Sequence, residues 1–162
     1  MIALARVDNR LIHGQVVSTW IPHLKAQDVV VADEEAASSP LMQLAMTMAV
    51  PPPVEVRIAA PGAIDWAKVH DGPRRTLVLF RDVATAAAAR RAGLAFGSLN
   101  LGNVHFAEGR RPILASVFLS EAELEELDRM AAAGVEIEAR AVPPDQRVGL
   151  PELWARYRSR ER

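Results

Sequence analysis

Strand-like and helix-like segments alternate along nearly all of the 162 residues, which predicts an α/β fold. The expected form is a single domain (residues 1–162) with an open, mainly parallel sheet, helices on both faces, and an edge strand near the C-terminus. Apolar runs such as DVVVAD (from Asp28) and TLVLF (from Thr76) lack alternation, as strands covered on both faces require. Segments of helical spacing, with start and stop residues, lie between these runs. The run VEIEARA does alternate: Val135, Ile137 and Ala139 fall on one side and charges on the other, so it reads as an edge strand with one wet face.

In chain order, the predicted strands are Ile2–Val7, Val29–Ala32, Val54–Ala59, Thr76–Phe80, Ala95–Leu101, Ile113–Leu119 and Val135–Ala141. A helix from Gly14 carries Val16, Val17, Trp20, Ile21 and Leu24 on one stripe, with Pro22 expected to kink or shorten it. The next begins at a Ser39 cap with Pro40 in its first turn and stops at Pro51–Pro53, and Leu41, Leu44, Ala45 and Met48 form its stripe. Asp82 and Gly93 bracket another. Ser120 and Glu123 have capping-box spacing ahead of a helix that closes at Gly134. No repeat, linker or low-complexity tract interrupts the series.

Composition narrows the chemistry. Nineteen Lys and Arg against twenty Asp and Glu give a net charge of -1, which offers no overall field for nucleic acid or a membrane surface. The final RYRSRER is locally basic and reads as a solvated or frayed end. With no cysteine, disulfides, thiol nucleophiles and Cys-ligated metals are excluded. No apolar run reaches the ~20 residues that span a bilayer. The start, MIALARVD, places charges where a signal peptide would continue its apolar core, so the expected location is the cytoplasm.

In open α/β sheets ligands bind where strands end and helices begin, and His13 falls at such a junction. There the amides of Gly14, Gln15 and Val16 would be unpaired helix-start donors that favour an anion. Arg10, and Arg6 as a further cation, could bond phosphate oxygens. This grouping suits a histidine nucleophile that accepts a phosphoryl group; a surface histidine on a turn is the plain alternative. His23 reads as helix surface, His70 as loop, and His105 as part of a second polar loop at the same sheet end. None has metal-ligand spacing with His13, and neither a metal nor a cofactor is expected. Asp33, Glu34 and Glu35 could form an acid pair but read as a charged approach to a helix. Nucleotide-binding glycine motifs and a G-x-S-x-G elbow are absent.

The segment VDNRLIHGQVVSTW closely resembles the active-site segment of the enzyme IIB components in the mannose/fructose/sorbose branch of the bacterial phosphotransferase system. The resemblance continues through VVVADEEAA, MTMAVPPPVEV, LVLFRDVATA, LNLGNVHF and LSEAELEELDRMAAAGVEIEARAVPPDQ, covering nearly the whole chain. It implies a phosphocarrier: His13 takes a phosphoryl group from a IIA histidine and passes it to a sugar held by the membrane components IIC and IID. It also implies peripheral association with the inner membrane through those components, and it matches Arg10 to an arginine near the phosphate. Neutral imidazole is the attacking form, and its other ring N–H needs an acceptor, for which Asp8 is the candidate. The chain departs from the family pattern in lacking a basic residue in AASSPLMQL and in having Gly102-Asn103 where many members have Gly-Gly. The first departure motivates an alternative, a regulatory phospho-switch that accepts phosphate at His13 without sugar transfer. A sugar-binding module is a weaker reading, because aromatics are scarce and Trp20, Trp66 and Trp154 are widely spaced.

Overall fold

The structure is a computed structural model that describes residues 1–159. Seven strands form one sheet in the order β3-β2-β4-β1-β5-β8-β9. These are β1 (Ile2–Asp8), β2 (Asp28–Ala32), β3 (Glu55–Ala59), β4 (Thr76–Phe80), β5 (Ser98–Asn103), β8 (Glu136–Ala139) and β9 (Val148–Gly149). All neighbours are parallel except β8 and β9. A separate antiparallel hairpin comprises β6 (Arg111–Leu114) and β7 (Val117–Leu119).

The helices divide between the faces as right-handed crossovers require. A π-helical turn at Val16–Trp20, α1 (Ile21–Leu24), α2 (Glu34–Ala37) and α3 (Pro40–Ala49) lie on one face. Their buried partners there include Leu4, Val29, Val31, Leu77 and Leu79. On the other face lie α4 (Trp66–Asp71), α5 (Val83–Arg91), α6 (Glu121–Ala132) and α7 (Leu150–Ser159), packed around Val7, Val78, Phe80, Leu99 and Ile137. The chain leaves β1 on the first face toward β2, and leaves β5 toward β8 on the second. The carboxyl ends of β1 and β5 therefore flank the switch point, where such sheets have their crevice.

Local chemistry explains most element ends. Asp33, Ser39, Asp82 and Ser120 each accept a hydrogen bond from the third residue of the helix they cap. Ser120 and Glu123 complete the reciprocal box, and Gly93 and Gly134 take positive φ just past α5 and α6. Val16, Trp20 and Ile21 are buried as their stripe predicts, and the helical run from Gly14 ends at Leu24, two residues beyond Pro22. The π turn at Val16–Trp20 lies immediately before the proline, whose missing N–H interrupts the α-helical ladder.

Five expectations are corrected. The predicted strand Ile113–Leu119 is a hairpin, broken at Ala115-Ser116 by a turn without the usual Gly, Asn or Pro. The α3 stripe is reversed: Leu41, Leu44 and Met48 are 77%, 57% and 77% exposed, while Met46 is buried and Met42 packs beside it. The helix is apolar around most of its circumference, and its polar Gln43 turns back to the Ala36 and Ala37 carbonyls rather than to solvent, so apolar spacing alone could not choose its inner side. His70 lies in α4 rather than a loop. The basic tail is solvated but not frayed as far as Ser159: Arg156 and Arg158 are exposed, yet Arg156–Ser159 belong to α7 and Tyr157 is buried, whereas residues 160–162 lie outside the described residues. Finally, β8 is covered at its edge by the two residues of β9, and Glu138 on its supposedly wet face is 5% exposed.

The reversal of α3 is measurable by chemical denaturation. Met46→Ala should cost about 2–5 kcal/mol, as buried truncations do. Leu44→Ala, on the outer side, should stay within about 0.5 kcal/mol of the unmodified chain.

Candidate active site

Beyond Asp8, the chain turns through Asn9–Ile12 and enters the helical segment at Gly14. Leu11 holds this turn with φ 58°, a conformation rare for a branched side chain. It persists because the Leu11 amide donates to the Asp8 carbonyl (2.9 Å) and its side chain is buried in the core that contains Trp20. The turn brings His13 back over the end of β1. Nε2 of His13 lies 2.8 Å from Oδ2 of Asp8, while its Nδ1 has no hydrogen-bond partner among the described residues. The ring is mostly covered and Asp8 is fully buried, so one ring nitrogen is tethered from beneath and the other is left for an incoming group.

Asp8 is itself held on three sides. Its Oδ2 accepts from Nη2 of Arg6 (2.9 Å) as well as facing His13, and its Oδ1 accepts from the Arg10 amide (3.0 Å). Burial opposes ionisation of Asp8, but His13, Arg6 and the Arg10 amide outweigh it and hold the carboxyl below the usual carboxylate range. Burial lowers the Arg6 pKa from its ordinary value, with Asp8 and Glu138 acting in the opposite direction. Arg6 is fully buried beneath Asp8, which corrects its assignment as a cation for phosphate oxygens.

Arg10 is exposed at the mouth of the loop. With the Asn103 amide nitrogen turned to the Ser116 carbonyl (3.1 Å), the Asn103 oxygen accepts from Arg10 Nε at 2.9 Å. Arg10 Nη2 also reaches Oε1 of Gln15 at 3.4 Å. The first helical bond runs from the Val17 amide to the His13 carbonyl (3.0 Å), so the amides of Gly14, Gln15 and Val16 precede it. His13, Arg10, Asp8 and these three residues thus converge on one rim. His105 is exposed on the loop after β5 at this same sheet end, and His23 is exposed on α1. Asp33 caps α2 and pairs with Arg81 (2.7 Å), whose Nη1 also donates to the Asn9 carbonyl (3.5 Å). Among the described residues no three His, Asp or Glu side chains gather as a metal site would need.

Sequence reasoning missed the layer under the site. Arg6, Asn100 and Glu138 are register partners on β1, β5 and β8, and they face Trp20 with Arg140 beside them. The Trp20 indole donates to the Ala141 carbonyl at 2.9 Å. At Gly102 a Cβ would lie 1.9 Å from Cζ of Arg6, so glycine provides the room for the guanidinium. The signal present in the sequence was Asn100 between Leu99 and Leu101 in SLNLGN.

The model of the family described as "PTS system sorbose subfamily IIB component" matches residues 2–161. The fructose-specific EIIB component of Bacillus subtilis is 30% identical over 149 residues, covering 89% of this chain and 90% of that protein. The mannose-specific EIIAB component of Escherichia coli is 28% identical over 160 residues, covering 94% of this chain and 48% of that protein. The chain thus spans about half the length of the first curated relatives it matches. A crystal structure described as manxB from Thermoanaerobacter tengcongensis superposes with a TM-score of 0.87 at 29% identity, covering 97% and 96% of the two chains.

The Arg81–Asp33 pair, which ties α2 to the site loop, makes an acid-labile contribution. Burial opposes ionisation of Asp33, yet Arg81 and the Ala36 amide hold its carboxyl below the usual range. A carboxyl depressed by folding contributes its full stability above the ordinary value near ~4, and that contribution is lost as pH falls through the lower folded value. Arg81→Gln should therefore be less stable than the unmodified chain at pH 7. The two denaturation midpoints should converge as pH drops below about 4; a constant gap would refute the assignment.

Proposed function

The chain belongs to the sorbose-subfamily IIB components of the sugar phosphotransferase system, and on that basis we propose that His13 is its phosphoryl carrier, accepting through Nδ1. The observation that supports this most is the division of labour on the imidazole: Asp8 engages Nε2 and leaves Nδ1 without a partner. An ionised Asp8 accepts the Nε2–H, which fixes the tautomer whose lone pair is on Nδ1. That lone pair attacks phosphorus as the N–P bond to the donor breaks and its electrons return to the donor ring. The positive charge that develops on the His13 ring is offset by Asp8. Arg10 and the amides of Gly14, Gln15 and Val16 take the phosphoryl oxygens, so catalysis consists of positioning and charge neutralisation.

The donor is a histidine of a IIA component. The Escherichia coli relative, named as an EIIAB component, supports this because the chain matches about half of it. The acceptor is a sugar held by the membrane components IIC and IID, and the chain works at the cytoplasmic side of that membrane. No helix of the described residues is long and apolar enough to cross a membrane. A regulatory switch is the second reading, motivated by the absence of a basic residue in AASSPLMQL.

Incubation with a phosphorylated IIA component tests the carrier reading. The unmodified chain should gain one acid-labile phosphoryl group on His13 and His13→Ala none; label on the variant would overturn the reading. Arg10→Ala should keep its melting temperature but slow acceptance roughly a hundredfold, corresponding to the ~2–4 kcal/mol such contacts contribute.

Sugar delivery separates the two readings. Because Leu41 is exposed, Leu41→Arg supplies the missing cation without loss to the core. If that cation limits delivery, the unmodified phospho-protein will deliver slowly to membranes carrying IIC and IID, and the variant faster. Rapid delivery by the unmodified chain removes the case for the switch.

A further inference from the structure

We propose that Asn100 is a positioning residue for phosphoryl acceptance, acting through Arg6 and Asp8 on His13; this inference rests on the phosphocarrier reading. Asn100 is fully buried at the centre of β5, directly between Arg6 and Glu138 in register. An unpartnered amide there would be costly, so its two ends must be matched. Its oxygen accepts from Nη1 of Arg6, and its nitrogen donates to Oε1 of Glu138 (3.0 Å) and to the Arg140 carbonyl (3.3 Å). Glu138, a pure acceptor when ionised, settles which way the amide points and keeps its oxygen turned to Arg6.

The consequence falls on the guanidinium. Nε of Arg6 has no hydrogen-bond partner among the described residues, so within the plane that Trp20 covers the two Nη groups fix the guanidinium. Nη1 is held by Asn100 and the Arg140 carbonyl (3.2 Å), and Nη2 by Asp8 and the Ala141 carbonyl (3.1 Å). Among the described residues, Asn100 is thus the one side chain besides Asp8 that receives a hydrogen bond from Arg6. Gly102, against which the guanidinium lies, has no side chain that could accept a hydrogen bond in its place. If Arg6 turns, Oδ2 of Asp8 loses a partner and the Nε2–H of His13 loses its fixed acceptor. Misplacement by about 1 Å is enough to cost on the order of a hundredfold in rate.

The test is proton NMR of the imidazole Nε2–H, paired with kinetics of acceptance from a phosphorylated IIA component. The unmodified protein should show a resolved Nε2–H resonance. Asn100→Leu should lose it and lower kcat roughly ten- to a hundredfold, with KM for the IIA component unchanged because the surface is untouched. Asn100→Asp retains the oxygen facing Arg6 but loses the donor to Glu138 and the Arg140 carbonyl, so it should lower stability while keeping the resonance. If Asn100→Leu does not fold, Gly102→Ala carries the test at the next link, since it leaves Asn100 in place and its Cβ pushes the Arg6 guanidinium off its partners. Thr76→Val removes a different buried hydroxyl contact, to the Arg74 carbonyl, and should lower stability without affecting the resonance. A folded Asn100→Leu or Gly102→Ala variant with the resonance and kcat intact would overturn the proposal. If the unmodified chain takes up no phosphoryl group, the phosphocarrier reading fails, and the resonance still decides whether Asn100 positions His13.

Discussion

The buried ion pair between Arg6 and Asp8 is the constraint on which the site depends. Two charges removed from water at the centre of a sheet are stable only when their remaining hydrogen-bonding groups are also satisfied. Here the neighbouring strands supply most of what is needed. β5 contributes the Asn100 oxygen and the gap at Gly102, and the chain leaving β8 contributes two carbonyls. On this face the sheet beyond β1 is covered by Trp20 and a polar layer, because α5, α6 and α7 all pack on the opposite face.

That layer also explains why a histidine can be presented at a strand end without freedom to swing. Three features converge at the switch point: the ionised Asp8, the left-handed turn at Leu11 and the helical entry at Gly14. Each lies on a different short stretch, yet all are set by β1 and its first connection. The distal rim is shared with the other strand of the crevice, since Asn103 of β5 holds Arg10 across it. The sheet order brings together two loops some ninety residues apart, and the loops carry the exposed chemistry.

Much of this was legible in the sequence where local rules decide. The capped helices, the unbroken apolar strands and the histidine at a strand–helix junction follow from spacing and side-chain chemistry. What stayed hidden depended on partners distant along the chain. Glu138 alternates with apolar residues as a solvent-facing residue would, and only its neighbours Asn100 and Arg140 reveal it as buried. Arg6 carried the same ambiguity, since a cation two residues before an aspartate reads equally well as a phosphate ligand. The outward face of α3 escaped for the opposite reason: apolar residues cover most of its circumference, and the polar Gln43 is engaged by the chain rather than by solvent.

On the carrier reading, the single accessible nitrogen of His13 has a kinetic meaning. With Nε2 committed to Asp8, the phosphoryl group must arrive and depart by the same door. Donor and acceptor would then compete for one approach, and no ternary complex forms around the ring. Turnover would follow a ping-pong scheme, in which excess of either partner in its wrong state inhibits by occupancy. The relative abundance of the partners, as well as their affinity, would then set the flux through the chain.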